Sequence, residues 1–155
     1  MITQWISPFV RIALLAGLVF GLSPAHAQYI GGDLNLDLDQ DRSVQFLAGD
    51  VTLRGRIGGD ISGLAGNVVI DAEVTGSISL AAADITVSGS VGRDVSVAGA
   101  NIEILADVYR DVDAAGADIR VAGRVNRNLA AGGALVLVEE SATIGGNMDV
   151  GASEI

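Results

Sequence analysis

The sequence predicts an all-β protein: a single-stranded parallel β-helix solenoid of roughly triangular section that advances one turn every 17 residues. Three observations predict it. Asp50, Asn67, Asp84, Asn101 and Asp118 stand 17 apart, and each opens a segment reading acid or amide, apolar, any residue, apolar; a fixed short period is the signature of a solenoid. Counted from that opening residue as place zero, further columns are aliphatic throughout. The chain is 50% hydrophobic but only 4% aromatic, which suits many small, similar layers better than a core built round a few large rings.

Residues 1–27 stand apart from the repeat as an export signal. Arg11 is the only charge before the apolar run Ile12 to Ser23, and Pro24 then leads into Ala25-His26-Ala27, a small-x-small cleavage pattern. Cleavage after Ala27 is expected, so the mature chain starts near Gln28, is not inserted in the membrane, and belongs in the periplasm, at the cell surface or outside the cell. The apolar run is short for a membrane span. No cysteine exists to carry a lipid or a disulfide.

Residues 28–42 form an N-terminal strand or cap segment. Leu34, Leu36 and Leu38 alternate with Asn35, Asp37 and Asp39, which reads as one strand with a wet acidic face able to cover the first turn.

Residues 43–155 carry the repeats. Place one holds Val51, Val68, Ile85, Ile102 and Ile119, and place three holds Leu53, Ile70, Val87, Ile104 and Val121. Place seven holds Ile57, Val74, Val91, Val108 and Val125, place eleven Ile61, Ile78, Val95, Val112 and Leu129. Place thirteen is weaker, with Gly63, Leu80, Val97, Ala114 and Ala131. A spacing of two says strand, since alternate side chains share a face. The jumps from three to seven and from seven to eleven are corners, eased by the small residues Gly55, Ala72, Gly89, Ala106 and Gly123 at place five. At about 3.3 Å per residue a turn has a perimeter of about 56 Å and three sides of about 18 Å, which aliphatic side chains fill. A lone turn cannot offset the ordering of its own backbone, so stability must be cooperative along the stack. Ser43 to Phe46 belong to a preceding turn, and Leu135 to Val138 open a last one. There a two-residue insertion between Glu139 and Thr143 predicts a bulged loop before Ile144, Met148 and Val150.

Gly-Gly-Asp-Ile at 58–61, Gly-Arg-Asp-Val at 92–95 and Arg-Asp-Val at 110–112, set in short valine-rich turns with recurring Ala-Gly, resemble the bactofilins, bacterial polymer-forming cytoskeletal proteins. The resemblance covers about residues 43–155. It implies a right-handed β-helix of triangular section that polymerises end to end without nucleotide. The chain departs from the cytosolic members in its export signal and resembles more closely exported proteins that carry such repeats.

The residue inventory argues against an enzyme. The one His, His26, leaves with the signal, and the remainder has no Cys and no Lys; ordinary nucleophile–base pairs, metal sites built on His or Cys, and cofactors held through them have no residues to use. Beyond Ala27, eight arginines stand against nineteen acids, a formal charge of −11, which disfavours nucleic acid as a partner.

The acidic columns invite a calcium reading, because Ca²⁺ takes several hard oxygens at close range. Place zero alternates Asp and Asn, and place ten holds Asp60, Ser77, Asp94, Asp111 and Asn128. Carboxylates stacked about 4.8 Å apart would repel, and an interposed Asn relieves this. That alternation favours corner residues that bond backbone over a metal site. Arg93, Arg110 and Arg127 form a column at place nine, which a cell-envelope glycan bearing negative charge could exploit; at place six Arg56 faces Glu73 and Asp107 faces Arg124.

The inward columns are uniform and the outward ones are not. Function is therefore expected at the ends, as self-association of end turns through Leu34, Leu36, Val44 and Phe46 on one side and Met148, Val150 and Ile155 on the other. The partner is a second copy of the chain, with an envelope glycan or protein as the alternative.

Overall fold

The computed structural model describes residues 26–154. Residues 1–25 of the expected export signal, and the expected end-turn residue Ile155, lie outside the described residues. The described chain is all strand and turn: β1 His26–Gln40, β2 Ser43–Ile57, β3 Ile61–Leu64, β4 Asn67–Val74, β5 Ile78–Ala81, β6 Asp84–Val91, β7 Val95–Ile104, β8 Asp107–Val108, β9 Val112–Val121, β10 Arg124–Val125, β11 Leu129–Val138, β12 Thr143–Ile144 and β13 Met148–Glu154. Every pairing is parallel, and from β1 to β11 the register places each paired residue over the one 17 positions earlier, as in Asp50↔Asn67, Asn67↔Asp84 and Asn101↔Asp118. This is the parallel β-solenoid the period predicts.

The strands run through corners, so the ladders join. β2 pairs β3 through residues 44–47 and β4 through residues 50–57. One hydrogen-bonded path therefore wraps the whole stack, with β1 added on the outer side of β2. Inside, places one, three, seven and eleven are sealed: Val51, Leu53, Ile57 and Ile61 in one turn and Ile102, Ile104, Val108 and Val112 in another are all buried. Among the described residues no polar or charged residue is buried, so this core is purely aliphatic apart from one ring.

That ring explains the weak column. At place thirteen Phe46 lies directly over Gly63, and a Cβ on Gly63 would fall 2.4 Å from the Phe46 ring. The large side chain of one layer occupies the space that the next layer leaves empty, which is how a close-packed interior accepts an outsized residue.

The segment before residue 43 is more than a strand able to cap. His26↔Ser43 through Gln40↔Ile57 keep the same 17-residue offset, so Leu34, Leu36 and Leu38 occupy places one, three and five of a further turn. Its pattern is masked in the sequence by Gln40 at the aliphatic place seven and by Leu38 where later turns hold Gly or Ala. At the other end the offset changes from 17 to 19, with Val125↔Ile144 and Leu129↔Met148. The two extra residues are taken up by a turn closed by the Ala142 N–H donating to the Glu139 carbonyl at 2.9 Å, where the sequence places the insertion.

Place five is a bend with a strict steric demand. Gly55 and Gly89 have φ of 96° and 90°, and a Cβ at Gly89 would sit 2.2 Å from the Ala72 carbonyl oxygen. The intervening Ala72 and Ala106 instead turn their methyls into the core. Gly89→Ala is expected to destabilise the stack by about 2 kcal/mol, from the left-handed backbone penalty plus the clash. Ala72→Gly should cost roughly 1 kcal/mol. Urea denaturation followed by circular dichroism checks the order; equal midpoints for the two variants would contradict it.

Candidate functional site

Because apolar columns fill the inside, the chemistry this chain can offer lies at the two ends of the stack and on its outer faces. At the N-terminal end, β1 is paired on one side only. Tyr29, Leu36 and Leu38 are partly buried against the core there, and burial pushes the Tyr29 phenol above its ordinary value. The Nε2 of Gln40, at a place that is aliphatic in every later turn through Val125, is enclosed without a hydrogen-bond partner.

This corrects part of the expected self-association set. Val44 and Phe46 are 0% and 5% exposed, covered by Ala27 and Tyr29 of β1. Leu34 is likewise buried, with the backbone of Gly31 close beside it. A further layer, β1, lies above Val44 and Phe46, so they are core residues, while Leu34 lies in that layer itself and is buried there. Of the N-terminal candidates only Leu36 keeps a partly exposed position.

The C-terminal layer is different. Met148 is 56% exposed although it continues a column in which Val112 and Leu129 are each 1% exposed. Val150, Ile144, Val138 and Ala152 are partly buried beside it. Met148 and Val150 therefore lie on the surface of the last described layer, together with Ile144 and Val138.

The polar columns are occupied with holding turns together. At place zero, Asn67 donates its side-chain N–H to Asp50, and Asn101 donates to Asp84 Oδ1 at 2.6 Å. At place ten the side-chain oxygen of one turn accepts the backbone N–H of the next. Ser77 N–H donates to Asp60 Oδ1 at 2.8 Å, Asn128 N–H to Asp111 Oδ1 at 3.0 Å, and Asn147 N–H to Asn128 Oδ1 at 3.0 Å. These carboxylates replace carbonyls that the corner takes out of the ladder. Among the described residues no group of three or more His, Cys, Asp or Glu is placed to hold a metal ion.

The expected vertical ion pairs are partly redirected. Arg56 stands in register with Glu73, yet its guanidinium turns the other way, 3.4 Å from Asp39 and 3.9 Å from Asp41 on the preceding turn. In the arginine column, Arg110 reaches Asp94 at 3.5 Å. These groups are exposed, so the choice of partner carries little energy. The tightest cluster was not legible beforehand: Arg120 lies between Glu103, at 2.9 Å, and Glu139. The hydrogen bond and charge of Glu139, then the charge and hydrogen bond of Glu103, hold the Arg120 guanidinium above its ordinary value. Glu139 opens the inserted turn, so this clamp ties the irregular loop to the regular stack.

Apolar residues also stand on the outer faces. Leu135 and Leu137 are exposed beside Arg120, replacing the polar residues usual at places zero and two. Leu47 and Leu64 are 42% and 56% exposed at place fourteen. Leu64 borders a shallow open groove of about 840 Å³ that runs down the face formed by places twelve to fourteen, from Ser62 to Gly151. The alignment of outward places contains this signal, since two leucines in one outward column are an anomaly; attention to the inward columns alone passes over it. No helix among the described residues is long and apolar enough to cross a membrane.

Comparison of the chain with protein-family models, with curated proteins and with solved structures found no match to any of them. The geometry therefore carries the functional argument alone.

Asn101→Asp is expected to lose the hydrogen bond to Asp84 and to stack three carboxylates at successive turns. The cost is about 1 kcal/mol in dilute buffer, shrinking as added salt screens the exposed charges. Denaturation midpoints at two salt concentrations measure it; a salt-independent loss would assign the effect to packing instead.

Proposed function

We propose that the chain is a non-catalytic structural protein of the bacterial cell envelope, exported and assembled end to end through its solenoid. The observation that carries the reading is Met148. An aliphatic column sealed through six layers from Val44 to Leu129 continues into the last described layer with an apolar residue that is 56% exposed. Terminal repeats of a soluble solenoid ordinarily present a polar outer face. Here Ile144, Met148 and Val150 extend the core pattern outward. A parallel layer also leaves one row of backbone donors and acceptors unpaired, which is a template for another strand.

The bactofilin-like residues 58–61, 92–95 and 110–112 support the same reading, as does the absence of Cys and Lys from the whole chain and of His beyond position 26. Asp60, Asp94 and Asp111 accept backbone N–H groups at the corners, and Arg56, Arg110 and Arg120 engage acids of neighbouring turns. A binding module for an envelope glycan or protein is the second reading, favoured by the exposed arginine column of Arg93, Arg110 and Arg127.

The strongly acidic chain repels its own copies, so assembly should grow as salt screens that repulsion. Light scattering and negative-stain microscopy of the full chain are expected to show elongated particles that lengthen with salt. Met148→Asp should abolish them with little change in melting temperature, because the side chain is already half in water. A strict monomer at every salt concentration, or particles indifferent to Met148→Asp, would refute end-to-end assembly.

A further inference from the structure

One outer face carries a gradient of side-chain size. The outward column at place fourteen begins with Ile30, Leu47 and Leu64, passes through alanines from Ala81 to Ala115, and ends in Gly132 and Gly151, each residue in register with the next. The face is therefore thick at the N-terminal end of the stack and thin at the C-terminal end. The neighbouring outward column at place twelve is uncharged in the thick half, with Gln45 and Ser62, and carries Asp113 and Asp149 in the thin half.

We propose that this face is a lateral interface with a second copy of the chain, the two stacks running antiparallel. A twofold axis along the strand direction sets column fourteen against itself with its layers reversed. Leu64 then meets Ala115, Leu47 meets Gly132, and Ala81 meets Ala98, so every large side chain of the column faces an alanine or a glycine and no two large ones collide. Interfaces that pack like protein interiors require such complementarity. The groove beyond Leu64, floored by residues such as Ala98, Ala115 and Gly132, is the space that the partner's exposed leucines fill.

Charge points to the same arrangement. Reversal sets Ser62 opposite Asp113, a hydroxyl donor against a carboxylate, and keeps the four aspartates of the pair apart. Parallel stacks would bring thick end to thick end and leave the thin ends gaping. The area suffices: a face about 34 Å tall, from eight layers at about 4.8 Å spacing, and about 18 Å wide offers about 600 Å² per copy. The total of about 1,200 Å² reaches the lower edge of specific interfaces. This inference is independent of end-to-end assembly, because it uses a face that end contacts leave open.

Sedimentation velocity of the full chain, and of Met148→Asp to remove end contacts, tests it. A dimer is expected in both. Leu64→Asp should give a monomer with an unchanged β-sheet spectrum and melting temperature. Leu64→Ala and Ala115→Leu should each weaken the dimer at least tenfold, and the double variant should recover most of the affinity. Since the chain has no cysteine, Leu64→Cys with Ala115→Cys should oxidise to a covalent dimer, whereas Leu64→Cys alone should not. A monomeric Met148→Asp chain at tens of micromolar overturns the proposal and leaves the face to a different partner. Cross-linking by Leu64→Cys alone, or failure of the double variant to recover, overturns the antiparallel arrangement.

Discussion

Each paired residue of the described stack stands about 4.8 Å from the residue one turn before it, and the other features of the stack follow from that constraint. Like is forced upon like. For aliphatic side chains this is favourable, since a column of valine and isoleucine buries itself and needs only a lid above and below. For charged side chains it is unfavourable, and the chain meets the difficulty in two ways. At place zero it alternates Asp with Asn, so that an amide donates to each carboxylate beside it, as Asn101 does to Asp84. At place ten it directs the carboxylate toward the backbone N–H of the following turn, as Asp111 does toward Asn128. Both solutions turn a possible repulsion into a bond between layers.

The same constraint decides where irregularity is tolerated. Two extra residues enter between Glu139 and Thr143, at a corner, where they close their own turn and leave the register of the flanking columns intact. Arg120 then holds Glu139 to the stack. Within a face, by contrast, an outsized side chain must be matched by a deficit next to it. Phe46 over Gly63 is such a match inside the core.

A solenoid whose inward columns are uniform has no interior place for a ligand, so its functions are those of a surface. The two surfaces that break the repeat differ in kind. The terminal layer around Met148 continues the core into solvent along the stacking axis. The graded face around Leu64 runs perpendicular to that axis, and its departure from polarity is confined to one half of its height. On the proposed reading, the first is a direction of growth and the second a face for pairing.

How much of this the sequence determined can be judged residue by residue. The period of 17, read from Asp50 to Asp118, fixed the solenoid, the inward columns and the site of the insertion, because a strand alternation repeated at constant offset has one packing solution. The resemblance of the end residues was only partly legible: Met148 and Val150 emerged at the terminal layer, whereas Val44, Phe46 and Leu34 proved to be interior. Their burial depends on residues 26–32, whose own column residues, with Gly, Tyr and Gln among them, hide the period. The partner of an arginine was equally beyond the sequence, since Arg56 has acids on both sides at equal spacing and only rotamer and corner geometry selected Asp39. The sequence by itself determined which residues share a column; the tertiary structure alone decided which columns end in solvent and which side of a layer each long side chain takes. The reason is physical: register is set by repeated short-range pairing, while exposure and rotamer depend on what the neighbouring layer places within reach.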